Sequence, residues 1–383
     1  MQLSFIFYIL IAILVLMVMI TIHEAGHYVA GKILKFKINE FSIGFGPAII
    51  KKTNKTTGEK FSLRLIPLGG FCAFEDEEGL DEEKEKNPIQ PFEEDEIKEE
   101  IPVVEADENA PKAFVKQPPW KRIIVLISGG LANILSAFIF SFIFILIVGY
   151  AVPTVQQVNV NPDTGVQYNQ ELQVGDRIVK VNGVDVSVMN TYDSLIASAG
   201  KNISFTVIRN GETVTINVKK QNVKYENVDS NGNPDGTYTE LEGKIGFSAS
   251  YSYTQDVGVA FKEFVPYTFK LSWMVIESLF MIVTGQVPVT QMTGTVGTVA
   301  FMAQQAQADW RTIFLLLPLL ASNLGIFNLL PIPALDGSKV VFTAIEWIRK
   351  KPINRKVESY IHMVGIIVLL LFVVVIDVLH FIL

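Results

Sequence analysis

Four long apolar stretches divide the chain and predict its transmembrane helices. They cover residues 5–22, 123–152, 312–332 and 360–383. Each is long and apolar enough to cross the hydrocarbon core of a bilayer, which takes about 20 residues in a helix. The chain starts without a positive charge, and no small-residue cleavage site follows the first stretch. We therefore expect that stretch to remain as a helix and not to be removed as a signal peptide.

The segment between the second and third apolar stretches has the pattern of a small β-domain. Val, Ile and Thr dominate residues 155–250, and Asn-Gly turns at 182–183 and 210–211 separate runs that alternate apolar and polar positions. The stretch LQVGDRIVKVNGVDV resembles a PDZ domain, which implies a possible peptide ligand. The region NPDTGVQYNQE departs from the usual carboxylate-binding loop of such domains. We interpret YENVDSNGNPDGTYTE as a polar loop that extends this domain.

A fifth apolar stretch, residues 261–287, differs from the other four because it carries charges. Lys262, Glu263, Lys270 and Glu277 lie within it. If it crossed the membrane, it would also spoil the alternation of basic and non-basic loops. We interpret it as one or two amphipathic helices on the outer face of the membrane.

Composition and charge support a membrane protein and predict its orientation. Hydrophobic residues make up 49% of the chain and charged residues only 19%, against about 25% charged in soluble domains. The net charge of −7 comes mostly from residues 75–108, which predict a disordered acidic loop. Lysine and arginine concentrate between the first and second stretches and between the third and fourth. The positive-inside rule places these two loops in the cytoplasm, with both termini and the β-domain outside. The lone Cys72 excludes an internal disulfide framework.

The motif His-Glu-Ala-Gly-His follows directly on the first apolar stretch. On a helix, His23 and His27 lie four residues apart and share one face, so their imidazoles can bind one zinc ion. Glu24 is placed to take a proton from water at the metal. The other interpretation is a polar patch at a helix end. That patch would be costly at a membrane, and two of only four histidines fall at this spacing.

A catalytic zinc ion usually has three protein ligands, and the sequence offers a third one far from the first two. In SNLGIFNLLPIPALDGSKVV, Pro331 and Pro333 interrupt the third apolar stretch just before Asp336. Prolines free backbone groups that hydrocarbon cannot satisfy, so this segment must be buried in protein or line a wet cavity. At about 1.5 Å per residue, His23 lies roughly 27 Å along the first span. We therefore expect His23 and Asp336 at the same, cytoplasmic, membrane depth.

Together these motifs resemble the site-2 protease family of intramembrane zinc metalloproteases. The single PDZ-like insert resembles the bacterial PDZ-containing branch of that family. Other landmarks of the family follow in order along the chain: GFGP at 44–47, RLIPLGGF at 64–71, SGGLANI at 128–134 and TGTVGT at 293–298. Where the family often has proline, this chain lacks it ahead of Asn133 and carries Thr295 in the last landmark.

The resemblance implies a zinc ion as cofactor and a role for each residue of the two main motifs. His23, His27 and Asp336 would be the zinc ligands, and Glu24 would be the general base. The reaction would be hydrolysis of peptide bonds in the transmembrane segments of pre-trimmed membrane proteins. Substrates of this kind are single-span transmembrane proteins, such as anti-sigma factors, or the remnants of signal peptides.

The resemblance also suggests residues that bind the substrate or stabilise the oxyanion. Asn328, eight residues before Asp336, matches a family position of this kind. Asn133 either orients the substrate or packs between helices. Gly69 and Gly70 belong to FSLRLIPLGGF, whose alternating pattern predicts a strand edge that could pair with an unwound substrate or a plain hairpin at the membrane surface.

The expected architecture is a polytopic α-helical protein of the bacterial cytoplasmic membrane with about four transmembrane helices, a membrane-associated β-hairpin or sheet and one extracytoplasmic PDZ-like domain. The active site would lie near the cytoplasmic side. The predicted segments in chain order are a first transmembrane helix with His-Glu-x-x-His (1–38), a membrane-associated β-region (39–74), an acidic cytoplasmic loop (75–117), a second transmembrane helix (118–153), a PDZ-like domain (154–250), amphipathic membrane-surface helices (251–310), a third transmembrane helix with the Leu-Asp-Gly motif (311–350) and a fourth transmembrane helix (351–383).

Two other classes of function fit parts of this pattern. A catalytically inactive membrane scaffold would bind partners through the PDZ-like domain and would not need Glu24. A zinc transporter would carry polar ligands near the middle of several spans, whereas here they cluster at the inner end of two. The expected partners are membrane-protein substrates and the lipid bilayer. No motif indicates binding of nucleic acid.

Overall fold

The computed structural model describes residues 3–77, 110–187, 190–228, 234–255, 257–286 and 294–382. The chain forms two compact units. The first contains Met1–Phe140 and Leu271–Leu383, and the second contains Ser141–Lys270. Most of the acidic segment falls in residues 78–109, so the prediction of a disordered loop lies outside the described residues.

Helices dominate the first unit. In chain order they are α1 (Leu3–Ile33), α2 (Pro119–Ile147, of which the part to Phe140 belongs here), the second part of α4 (Val257–Val283), α5 (Thr295–Ala308), α6 (Thr312–Leu329), α7 (Asp336–Arg349) and α8 (Arg355–Ile382). Four helices in the described part of the chain are long and apolar enough to cross a membrane: Ser4–Ile33, Pro119–Ile147, Thr312–Leu329 and Arg355–Val378. This number agrees with the four spans predicted from the sequence.

The boundaries of these helices follow local signals that hydropathy does not contain. α1 continues for eleven residues beyond Ile22 and stops before Lys35, whose φ is 62°. α2 begins at Pro119, a residue suited to the first helical position because its nitrogen needs no partner there. It ends before Gly149, which has a φ of 99°. The predicted end of this span at residue 152 is therefore wrong, because residues 150–158 form a strand.

Two long strands, β1 (Ile38–Thr53) and β2 (Lys60–Phe74), form the predicted β-region. Residues 40–43 of β1 pair on one side with 60–63 and on the other side with 70–73, both segments of β2. Gly44 and Gly46 have φ values of 86° and 81°, which lets β1 bend between its two paired halves. Buried aromatic and aliphatic side chains join the base of this sheet to the start of α2; they are Phe36, Ile38, Phe74, Phe114, Val125 and Leu126. The association of this region with the membrane stays a prediction.

The second unit is rich in β-structure, as its sequence predicts. Its strands are β3 (Tyr150–Val158), β4 (Arg177–Val181), β5 (Val184–Asp185), β6 (Asn202–Arg209), β7 (Glu212–Lys219), β8 (Gln221–Val228), β9 (Pro234–Lys244) and β10 (Phe247–Thr254), with one short helix, α3 (Tyr192–Ser198). The main sheet has the order β10-β3-β4-β6-β7, with β5 paired to β4, and all of these pairs are antiparallel. Its assignment as a PDZ domain stays a prediction.

Turn chemistry explains which parts of this unit the sequence predicts correctly. Asn210 and Gly211 both have positive φ and join β6 to β7, as the Asn-Gly signal predicts. The interpretation of YENVDSNGNPDGTYTE as a polar loop is wrong, because β8 and β9 form an antiparallel hairpin over most of it. Cross-strand pairs such as Tyr225 with Thr239 stabilise a ladder in which most exposed side chains are polar.

The charged apolar stretch after the β-domain is helical, as predicted. A single helix, α4 (Val257–Val283), runs through Pro266 and covers most of it. This helix is not among the candidate membrane spans. Its position on the membrane surface stays a prediction.

Candidate metal centre

The two histidines of the His-Glu-Ala-Gly-His motif face the same side of α1. Their rings lie 4.8 Å apart, centre to centre, and nearly perpendicular to one another at 82°. The Nε2 atoms of His23 and His27 are 3.2 Å apart. The helix continues through the motif without a break, so the four-residue spacing alone brings the two nitrogens together.

Asp336 reaches these histidines from the other end of the sequence. α6 ends at Leu329 because Pro331 and Pro333 cannot continue a helix, and α7 begins at Asp336 itself. The Oδ2 atom of Asp336 lies 2.9 Å from His23 Nε2 and 3.1 Å from His27 Nε2. The chain turn that brings it there needs Gly337, since a Cβ at that position would lie 2.3 Å from the carbonyl oxygen of Leu330.

The three side chains fit a zinc ion. One donor atom from each of His23, His27 and Asp336 lies within 4.8 Å of the other two. Two imidazole nitrogens and one carboxylate oxygen suit zinc, and a set of three leaves a position open for water and substrate. Gly129 on α2 keeps the space in front of both rings free. A Cβ there would lie 2.3 Å from His27 Nε2 and 2.8 Å from His23 Cε1.

A second set of contacts fixes the orientation of each imidazole. With Nε2 turned to a metal, Nδ1 of each ring carries the proton. Nδ1 of His27 then donates to the carbonyl oxygen of Val125 at 2.8 Å. Nδ1 of His23 lies 3.2 Å from the side-chain amide of Asn133, which is completely buried.

The amide oxygen of Asn133 has no hydrogen-bond partner among the described residues. Rotating the amide by 180° turns this oxygen to the Nδ1–H of His23 and satisfies both groups. Asn133 therefore contacts a metal-site histidine and belongs to the support of the site. Its predicted role in orienting the substrate stays untested.

Glu24 lies next to β2 on the side of α1 that faces the hairpin. Its carboxylate interacts with the backbone amide of Cys72 and with the charges of both histidines. Gly70 packs directly against it, and a Cβ on Gly70 would lie 3.3 Å from Glu24 Cγ and 2.8 Å from the carbonyl oxygen of Ser42. Gly69 has a φ of 127° and leaves room for the ring of Phe45. These two glycines bring β2 to the candidate base, and their role in substrate binding stays a prediction.

The electrostatics of the site favour a charged Asp336 and a neutral Cys72. Burial alone would raise the pKa of the Asp336 carboxyl, but hydrogen bonding to His23 and His27 and their charges lower it well below its usual range. Burial, together with the nearby charge of Glu24, raises the pKa of the Cys72 thiol. Cys72 is not among the three residues whose donor atoms converge on the candidate metal position.

Two further residues, Asn328 and His362, lie outside the three-residue metal cluster. Asn328 lies half-buried in the last turn of α6, and its role stays a prediction. His362 on α8 accepts a hydrogen bond from the backbone N–H of Ala334 in the loop before Asp336. No local pattern reveals this contact, because it depends on how α8 packs against that loop.

Comparison with known proteins gives matches along nearly the whole chain. The model for the family described as Peptidase family M50 matches residues 11–372. Zinc metalloprotease RasP of Oceanobacillus iheyensis is 29% identical over 419 residues, which cover 95% of this chain and 96% of that protein. Regulator of sigma-W protease RasP of Bacillus subtilis is 29% identical over 415 residues, which cover 92% of this chain and 93% of that protein. A relative from Fusobacterium nucleatum is 28% identical over 371 residues, which cover 96% of this chain and 97% of that protein.

Proposed function

The chain belongs to peptidase family M50, and on that premise we propose that it cleaves transmembrane segments of membrane proteins that an earlier protease has trimmed. It is a zinc metalloprotease of the site-2 type, a membrane protein whose family and relatives are consistent with regulated intramembrane proteolysis. The observation that carries the proposal is the meeting of His23, His27 and Asp336 across 313 residues of sequence, with Glu24 beside them.

In the proposed mechanism, the chain's own side chains hold the metal and move the proton. His23, His27 and Asp336 would hold zinc, and the bound ion would supply the Lewis acidity that activates water and polarises the scissile carbonyl. Glu24 accepts a proton from the attacking water and passes it to the leaving amine. Its half-buried position beside β2 places its carboxylate next to the two histidines.

The substrate must be extended where it is cut, because a helix uses its carbonyl groups in internal hydrogen bonds. Residues 70–73 of β2 pair with β1 on one side only among the described pairs, and this segment passes Glu24. Such an edge can add an extended peptide as a further strand. We propose that the unwound substrate pairs here, with Gly69 and Gly70 allowing its backbone to come close and with Asn328 contacting the carbonyl oxygen.

The architecture and the named relatives support the proposed substrate class. The Bacillus subtilis relative is named for the regulation of sigma-W, which supports anti-sigma factors with a single span as substrates. Signal-peptide remnants have the same chemistry and are included in the proposal. The PDZ-like unit would exclude bulky ectodomains and admit only trimmed proteins. The distribution of lysine and arginine supports a bacterial cytoplasmic membrane location with the site near the cytoplasmic side.

The test is cleavage of a single-span reporter protein by the purified enzyme in lipid vesicles. The reporter is made with and without a folded ectodomain, and products are identified by mass spectrometry. We expect Glu24→Gln to lower the rate about 100-fold or more, as loss of a general base does, while the bound zinc remains. Asp336→Ala should lose both zinc and activity. Equal rates for the wild type and Glu24→Gln would contradict the protease mechanism and favour a scaffold.

A further inference from the structure

The loop that carries Asp336 contains a backbone conformation that L-residues avoid. Ala334, two residues before Asp336, has a φ of 86°. This left-handed region is normally occupied by glycine, because the Cβ of other residues crowds the backbone there. A residue other than glycine keeps such a conformation only where its surroundings hold it.

Helix α8 supplies these surroundings through two residues on one face. Nδ1 of His362 accepts a hydrogen bond of 3.3 Å from the backbone N–H of Ala334. Gly365 packs on the preceding residue of the loop, since a Cβ on Gly365 would lie 2.4 Å from the Cβ of Pro333. Residues three apart share a face of a helix. The same face of α8 therefore contacts the loop through the hydrogen-bond acceptor of His362 and through Gly365, which has no side chain and lets Pro333 pack closely.

The surroundings of His362 fix which of its nitrogens carries the proton. Nδ1 accepts from Ala334, so Nε2 holds the proton in the neutral ring. Nε2 has no hydrogen-bond partner among the described residues. His362 lines a cavity of about 380 Å³ together with residues that include Lys339, Glu358 and Ser359. The edge of the Phe342 ring lies against the imidazole, with ring centres 5.7 Å apart.

We propose that His362 is a positioning residue for the metal ligand Asp336. By accepting the Ala334 N–H, it stabilises the left-handed turn that aims the Asp336 carboxylate at His23 and His27. This inference rests on the proposed function, because it takes Asp336 to be a zinc ligand. It adds a fourth element, α8, to the three that the ligands and Asn133 occupy.

The experiment measures how fast full-length enzyme in detergent loses zinc to a chelator. The variants are His362→Leu, which removes the acceptor, and His362→Asn, whose side-chain oxygen can take the place of Nδ1. His380→Leu, on the same helix, is the matched control, and Asp336→Ala is the reference for loss of a ligand. A cobalt-loaded sample of each variant gives an absorption spectrum that reports the ligand geometry independently of turnover.

We expect His362→Leu to lose zinc about tenfold faster than the wild type or more, as removal of an outer-shell partner does. His362→Asn should restore much of the difference, and His380→Leu should behave like the wild type. The cobalt spectrum should change in His362→Leu only. Gly365→Ala displaces Pro333 and leaves the histidine unchanged, and it should also speed zinc loss. If His362→Leu does not fold, the result for Gly365→Ala decides whether contact with α8 positions Asp336.

The outcomes separate this inference from the proposed function. If Asp336→Ala keeps its zinc as the wild type does, the proposed ligand set is wrong and the inference falls with it. If Asp336→Ala loses zinc while His362→Leu and Gly365→Ala keep it, the protease proposal stands and the positioning role is refuted. Equal zinc loss in His362→Leu and His362→Asn would also refute it, because the acceptor would then be irrelevant.

Discussion

At the scale of single residues, the candidate metal centre requires a glycine, Gly129, in addition to its three proposed ligands. Gly129 faces the point where both imidazoles meet, and a methyl group there would occupy the space that the metal needs. Its neighbour Gly130 has a different task, because a Cβ on it would lie 2.9 Å from the carbonyl oxygen of Gly325 on α6. The Gly-Gly pair thus serves the site with one residue and helix packing with the other.

We predict that Gly129→Ala abolishes zinc binding. The added Cβ would lie 2.3 Å from His27 Nε2, a distance at which one of the two groups must move. The zinc content per protein molecule, measured by elemental mass spectrometry, should fall below detection. Cleavage of the reporter protein should be lost as well. Leu131→Ala, at an exposed position of the same helix, should keep both. Full zinc content in Gly129→Ala would show that the metal does not bind between the two rings.

For Asn133 we predict opposite effects of two substitutions. Asn133→Leu removes the acceptor for the Nδ1–H of His23 and should weaken zinc binding about tenfold or more. Asn133→Asp supplies a stronger acceptor and should keep the affinity close to that of the wild type. Competition with a zinc-binding dye measures both. The same affinity in all three proteins would mean that Asn133 only packs between helices.

The three residues that converge on the candidate metal centre are predictable from sequence, whereas the contacts that support them are not. Two histidines four apart on a helix share a face whatever the rest of the fold does, and the prolines before Asp336 mark a broken helix in advance. Asn133 and His362 reach the site only through the packing of α2 and α8. The positive φ of Ala334 could not be predicted from the sequence, because alanine, unlike Asn-Gly, is not typical of a left-handed turn.

At the scale of elements, a buried ion pair joins three of the helices in the first unit. Arg122 on α2 donates to Glu346 on α7 at 2.6 Å, and both side chains are at least 94% buried. Arg355 at the start of α8 pairs with the same carboxylate at 3.2 Å. The backbone N–H of Ile353 donates to it as well. Glu346 therefore binds both arginines and one backbone N–H of the loop between α7 and α8.

We predict that Glu346→Ala lowers the free energy of unfolding by about 3–5 kcal/mol, because it leaves a buried arginine without its counter-charge. The midpoint of thermal unfolding in detergent should fall accordingly. Asp185→Ala removes a carboxylate that two lysines contact at the surface of the second unit, and should cost less than about 1 kcal/mol. The side chain of Asp185 is 45% exposed, which makes it a suitable control. Similar effects of the two substitutions would show that the pair of Arg122 and Glu346 contributes little.

Element boundaries were predictable only where a local signal fixes them. The hairpin turn at Asn210–Gly211 was found because positive φ at both positions selects these residue types. The end of α2 was placed too late, since the apolar run continues into β3 and hydropathy does not distinguish a helix from a buried strand. The hairpin of β8 and β9 was missed because its polar residues suggest a loop, while its pairing stabilises it all the same.

At the scale of the whole molecule, the second unit is an insertion whose two ends lie side by side. β3 leaves the end of α2, and β10 returns toward α4, with Tyr150 paired to Thr254 and Thr154 paired to Ser250. Paired residues of antiparallel strands are about 5 Å apart. A chain cut between these strands can therefore be closed without moving either end. The three proposed metal ligands all lie in the first unit, so we expect the metal centre to form without the insertion.

This topology gives a direct test of the proposed exclusion of untrimmed substrates. Replacing residues 155–249 with Asn-Gly joins Thr154 to Ser250 through a two-residue turn that suits antiparallel strands. We predict that the shortened enzyme keeps its zinc and still cleaves the reporter without an ectodomain. It should in addition cleave the reporter with a folded ectodomain, which the full-length enzyme leaves intact. Both activities should vanish when Glu24→Gln is added to the shortened chain. If the shortened enzyme still rejects the untrimmed reporter, selection resides in the membrane-spanning unit, and the β-rich insertion must have another role.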